Sequence, residues 1–106
     1  MNSSTAFEHD QMRSVADQVC ALMRVLANPD RLMLLCQLTE GERRVGELEQ
    51  LLGITQPTLS QQLTVLREQG LVQTRREGKN IYYSLADARV LAVLQSLHQQ
   101  FCKSQR

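Results

Sequence analysis

Residues 55–64, TQPTLSQQLT, gather neutral hydrogen-bonding side chains in a run that meets no charge until Arg67. Gln56, Thr58, Ser60, Gln61 and Thr64 are short enough to approach the edges of nucleobases, and a glutamine can pair with adenine through two hydrogen bonds. A contact of that kind discriminates between bases by roughly 1–3 kcal/mol. An exposed helix face that serves only solubility usually carries Glu and Lys instead. Cations suited to phosphate oxygens follow at Arg67, Arg75, Arg76 and Lys79, partly offset by Glu68 and Glu77. A second chemistry belongs to Cys20, Cys36 and Cys102. Their odd count and wide spacing exclude a disulfide scaffold and a CxxC zinc cluster, and in a reducing compartment they rest as thiols, small and apolar in packing.

The elements that must hold these groups follow from periodicity. Residues 1–10 are polar and small and read as a flexible tail, leaving one domain over 11–106. From Met12, the set Met12, Val15, Ala16, Val19, Leu22, Met23 and Leu26 keeps the spacing of one helix face. Cys20 falls on or beside that face and is expected to pack. Asn28 then caps a second helix with Pro29 in its first turn, turning Leu32, Leu35 and Leu38 inward until Gly41. A third helix covers Val45 to Leu52 and ends at Gly53. A fourth begins near Gln56, with Pro57 in its first turn, and runs to Gln69 before Gly70. With Leu59, Leu63 and Leu66 inward, the third and fourth form a helix-turn-helix whose outer face is the glutamine, serine and threonine set. After Gly70 the period drops to two. Residues 71–76 and 81–85 make a β-hairpin, the wing, around the polar tip Glu77-Gly78-Lys79-Asn80. From about Asp87 to Phe101, Val90, Leu94, Leu97 and Phe101 form a stripe with little remaining core to cover it. The fold class is therefore mainly α with a small β-hairpin, a winged helix-turn-helix, and the helices at the two chain ends are expected to form a homodimer interface.

The 106 residues, 42% hydrophobic, suffice for one core, and a domain of this size leaves enough apolar surface to favour a second copy. The net charge of +1 sets up no global positive field, so a nucleic-acid partner must be met by local charge. The apolar runs are short and MNSSTAFEHDQ lacks a basic start and an apolar core, which predicts a cytoplasmic chain without membrane contact.

Over roughly residues 12–102 the chain resembles the ArsR family of bacterial repressors, on LANPDRLMLLCQL, VGELEQLLGITQPTLSQQLTVLREQGLV and TRREGKNIYYSL. The resemblance implies a symmetric dimer, two reading helices in successive major grooves of a near-palindromic operator, and release of double-stranded DNA when an inducer is sensed. Metal sensing is one alternative. Where one family site has cysteines in the third helix, this chain has Arg44-Val45-Gly46-Glu47-Leu48. At the other, Asp87 is followed two residues later by Arg89, while Gln100 and Lys103 occupy the later places, and one carboxylate cannot hold zinc. No metal or other cofactor is expected, and His98 reads as an ordinary surface or interface residue.

Cys36 and Cys102, in RLMLLCQL and LHQQFC, are similar to the cysteines of the sulfide-responsive BigR and SqrR-type branch. That similarity implies a disulfide or polysulfide bridge between the two, formed by reactive sulfur species, which ends repression. General peroxide sensing through the same cysteines is a further alternative. A bridge between helices distant in sequence favours one dimer shape over another. In the simple closure model such a loop also costs the unfolded chain roughly 4 kcal/mol of entropy. Cys36 lies near a helix C-terminus with Glu40 four residues on, and both disfavour thiolate. Cys102 has His98 one turn before it and Lys103 beside it, so Cys102 is expected to react first and Cys36 to resolve. An enzyme using Cys102 for peroxide or persulfide reduction finds no supporting pocket motif or phosphate-binding glycine loop. A winged-helix module that binds only proteins predicts no salt-dependent DNA affinity.

Overall fold

The computed structural model describes the backbone of residues 5–102 and, within it, the side chains from His9 onward. Five helices and three strands follow in the order α1 (Thr5–Leu26), α2 (Pro29–Leu38), β1 (Arg43–Arg44), α3 (Val45–Leu52), α4 (Thr58–Glu68), β2 (Val72–Glu77), β3 (Asn80–Leu85) and α5 (Ala88–Cys102). The winged helix-turn-helix expected from the sequence is present.

Helix α1 already runs through residues 5–10, inside the stretch expected to be a tail. Neither glycine nor proline interrupts Glu8-His9-Asp10-Gln11, so the helix continues outward without an apolar repeat to announce it. Asn28 caps α2 as expected, its Oδ1 accepting from the Arg31 amide at 3.1 Å, with Pro29 in the first turn. Leu34, Leu35 and Leu38 are buried, whereas Leu32 only flanks the core. Gly53 closes α3 with φ 70°, the left-handed conformation that glycine adopts without steric cost. Helix α4 starts at Thr58, two residues later than the expected start at Gln56, and Pro57 stands at its cap instead of in its first turn.

The strands form one antiparallel sheet in the order β1-β3-β2. Val72 pairs with Leu85 and the register holds to Glu77 opposite Asn80, leaving a two-residue tip, Gly78-Lys79. Strand β1 was not expected. Arg43 pairs with Tyr83 and Arg44 with Tyr82, and two residues are too few to show a period.

One core joins α2, α3, α4, α5 and the base of the sheet, around Leu34, Leu48, Leu59, Leu66 and Leu94. Helix α1 reaches it only at its C-terminal end, where Val25 is buried and Leu22 and Leu26 pack alongside. Residues 11–20 are all exposed, including Met12 at 67% and Val15 at 53%, and Met23 beyond them at 61%. On α5, Val90 and Leu94 are buried while Phe101 is 74% exposed. The radius of gyration, 16.6 Å, exceeds the roughly 13 Å of a compact domain of about 100 residues because α1 projects from the body. Among the described residues no helix is long and apolar enough to cross a membrane.

Candidate nucleic-acid interface

Helix α4 divides cleanly. Leu59, Leu63 and Leu66 are buried, and the opposite side presents Ser60, Gln61 and Thr64 to solvent with Thr58 half-buried at its start. The leucine face fixes how far the helix stands out, so the polar face is a rigid ledge. Gln56 lies just ahead of the helix, not on it. Its Oε1 accepts from the Ser60 amide at 3.2 Å and from Ser60 Oγ at 2.6 Å, satisfying an N–H that the first helical turn leaves without an internal partner. With that oxygen engaged, the Gln56 amide group keeps its N–H donors outward. Thr64 Oγ1 donates to the Ser60 carbonyl at 2.9 Å and retains its acceptor lone pairs. Gln61 has no side-chain partner among the described residues and can offer both donor and acceptor to one base.

The expected phosphate contacts separate into two kinds. Arg67 is exposed in the last turn of α4, and Arg76 and Lys79 are exposed on the wing, none of them in an ion pair among the described residues. Arg75 is held. Glu42 grips its guanidinium through two bonds of 2.9 and 2.8 Å, Glu77 adds a third at 3.0 Å, and the cation lies 4.7 Å from the centre of the Tyr82 ring. The same bonds lower the Glu42 carboxyl below its ordinary pKa and raise that of Arg75. Because side chains alternate along a strand, Arg75 and Arg76 also emerge on opposite faces of β2. Only one face can meet a given strand of backbone phosphates. The Glu42 partner of Arg75 was not legible in sequence, since it is brought to the wing by the β1–β3 pairing.

The cysteines lie on three other helices, α1, α2 and α5. Cys36 is exposed on α2 and Cys102, half-buried, is the last residue of α5. An open cleft of about 1030 Å³ lies between these helices, with Met33, Cys36 and Gln37 on one wall and Ser96, His98 and Gln99 on the other. Partial burial of the thiol, with a smaller contribution from the charge of Cys102, pushes the Cys36 pKa up. Cys20 is exposed on α1, contrary to the expected packing role, within a stretch, residues 11–20, that is exposed throughout.

Asp87 is committed locally. Its carboxylate accepts from the Arg89 amide at 2.8 Å and from the Arg89 guanidinium at 2.9 and 3.2 Å, which lowers its pKa. Among the described residues no group of three or more His, Cys, Asp or Glu is placed to hold a metal ion.

Residues 28–74, from the α2 cap through α4 into the wing, match the family model described as bacterial regulatory protein, arsR family. The chain is 47% identical over 105 residues to the biofilm growth-associated repressor of Xylella fastidiosa strain Temecula1, covering 99% of this chain and 92% of that protein. Its fold is similar to the crystal structure of the transcriptional repressor BigR from Xylella fastidiosa, with TM-score 0.83 and 51% identity over 89% of this chain and 96% of that one. It is also similar to the homodimeric winged helix-turn-helix DNA-binding domain of Mb0332 from Mycobacterium bovis, with TM-score 0.72 and 34% identity over 91% of this chain and 88% of that one.

Proposed function

Since this chain belongs to the arsR family of bacterial regulatory proteins, we propose that it is a cytoplasmic dimeric repressor that leaves its operator when Cys36 and Cys102 become bridged. It acts by binding double-stranded DNA and performs no catalysis. Gln61, Ser60, Thr64 and Thr58 read bases from the ledge of α4, with Gln56 contributing its amide donors at the helix start. Arg67, Arg76 and Lys79 meet phosphates, and Arg75 joins them only by giving up Glu42. Exposed apolar residues of α1 and α5 meet their copies across a twofold axis, which is the kind of surface a monomer rarely leaves open.

The observation that carries the sensing half is that Cys36 on α2 and Cys102 on α5, distant in sequence, belong to the two helices that flank one open cleft. With an organic persulfide as oxidant, Cys102 thiolate attacks the sulfane sulfur, forming a Cys102 persulfide and releasing the thiol RSH. Cys36 thiolate then attacks Cys102 Sγ and expels hydrosulfide, which takes up a proton as H₂S. The sum is RSSH plus two thiols giving RSH, H₂S and a disulfide. Each further sulfur in the bridge requires one more RSSH and releases one more RSH. Peroxide closes the same disulfide with two waters as products. The raised Cys36 pKa supports Cys102 as the attacking thiol, because the nucleophile is the thiolate.

A gel shift with upstream DNA from the protein's own operon tests both halves. Reduced protein is expected to bind, with log affinity falling linearly in log salt, and polysulfide-treated protein to release. Release that persists in both Cys36→Ser and Cys102→Ser overturns the bridge. Release by peroxide alone makes it a peroxide sensor, and absence of DNA binding in the reduced state overturns the whole reading.

A further inference from the structure

We infer that Arg31 is a positioning residue for DNA recognition: its guanidinium locks the reading helix α4 to the end of helix α1, through Gln62. The inference rests on the reading of α4 as the base-contacting helix. Arg31 grows from the first turn of α2, three residues after the Asn28 cap, and is half-buried. Its guanidinium turns back onto α1. Nε donates to the Val25 carbonyl at 2.8 Å and Nη2 to the Arg24 carbonyl at 3.3 Å. These carbonyls belong to the last turn of α1, where the helix has no N–H groups left to satisfy them and where its dipole favours a cation. A third donor, Nη1, reaches Gln62 Oε1 at 3.3 Å on α4. One planar cation thus spans three helices, a role that the point charge of lysine cannot fill.

Gln62 suits this task by its place on the helix. It is half-buried on the flank between the buried leucines and the exposed Ser60, Gln61 and Thr64. The leucine face is apolar and non-directional, so it sets the depth of α4 but resists rotation and sliding poorly. The bond from Arg31 is directional and supplies that restraint. Its other anchor is the end of α1, the helix whose exposed apolar stripe is available to a second copy. An operator read by two such helices demands their separation near one helical turn of DNA, roughly 34 Å. A reading helix free to rotate relative to α1 would keep its base-contacting groups and lose the spacing between copies.

The test uses the full-length reduced protein and a duplex that the wild type selects from a random library, together with versions whose half-sites are separated by one added or one removed base pair. Gln62→Met removes the acceptor and keeps the volume. Its affinity for the selected duplex is expected to fall about tenfold, the usual scale for a hydrogen bond to a charged group. Its preference for the selected spacing should flatten, while the salt slope and the affinity for random DNA stay unchanged. Arg31→Met should reproduce this, and the double variant should be no worse than Arg31→Met alone. A salt slope reduced by about one in Arg31→Met marks a phosphate contact and overturns the inference. So does further loss on adding Gln62→Met to Arg31→Met, which marks Gln62 as a base reader, and so does an unchanged spacing preference in Gln62→Met. Gln61→Ala separates the two layers: if it leaves selection of the duplex intact, the reading of α4 fails, whereas a loss there beside an unaffected Gln62→Met fails the Arg31 link alone.

Discussion

Helix α4 and the terminal helices α1 and α5 are written in the same code, aliphatic residues at helical spacing, and come to rest in opposite surroundings. The α4 stripe of Leu59, Leu63 and Leu66 is covered within the chain. The α1 stripe of Met12, Val15, Val19 and Met23 is not, and α5 changes over along its length from buried Leu94 to exposed Phe101. Periodicity therefore states that a helix has an apolar side and leaves open whose surface covers it. The difference also divides labour. A stripe covered at home holds the polar ledge of α4 rigid, while an uncovered stripe is free to bind another molecule and to shift against it, which is what a sensor at Cys36 and Cys102 would need to influence DNA.

Breaking the uncovered stripe should have the largest effect on DNA binding. Val19→Asp with Val93→Asp lies at exposed positions flanking the groove of about 450 Å³ between α1 and α5. It should leave a folded monomer, because surface changes usually cost under about 0.5 kcal/mol. Affinity for a two-half-site duplex should drop by roughly 10²–10⁴ through loss of bivalency. Sedimentation and circular dichroism check the state, and titration of the duplex checks the affinity. The converse experiment cuts the covered stripe. Leu63→Ala should destabilise the domain itself by about 2–5 kcal/mol in urea unfolding, with DNA binding lost only as the fold is lost.

Smaller changes sharpen the contrast on the DNA side. Gln61→Ala should weaken binding by roughly 1–3 kcal/mol for the preferred sequence and leave random DNA almost unaffected. Arg76→Ala and Lys79→Ala should each lower the salt slope by about one, sequence-independently, whereas Arg75→Ala should lower it less. Glu42→Gln releases Arg75 and should raise the slope. Acid has a related effect, with a definite sign. The Glu42 carboxyl is lowered by its bonds to Arg75, so the pair persists below the ordinary carboxylate pKa, and its contribution to stability is lost only as pH falls through that lowered value. DNA titrations of wild type and Glu42→Gln across that acid range should converge.

The smallest expected effect concerns the thiols. Cys36 carries a raised pKa, so near neutrality it should react with iodoacetamide more slowly than an unperturbed thiol and gain rate as pH rises. Cys102→Ser removes only the lesser cause and should leave most of the slowing in place, since burial is the larger one. Site-resolved mass spectrometry measures both.

What was legible in the chain was local. The Asn28-Pro29 start of α2, the Gly53 stop of α3, the leucine triad of α4, and the drop to period two at the wing all follow from short-range stereochemistry, and residues 55–64 announced the exposed polar face of α4. The helical course of residues 5–10 was hidden because polar helix formers carry no apolar period, and β1 because two residues show none.

Tertiary structure alone decided which polar side chains remain available and which are spent. Arg75 and Arg76 are identical neighbours in sequence, and only the sheet shows that one is clamped by Glu42 while the other is free of ion pairs among the described residues. Arg31 and Gln62 likewise meet only because α2 and α4 pack together. Sequence governs each element through neighbours a few bonds away. Hydrogen bonds and ion pairs between distant residues need positions in space, and those are set by the core all the elements share.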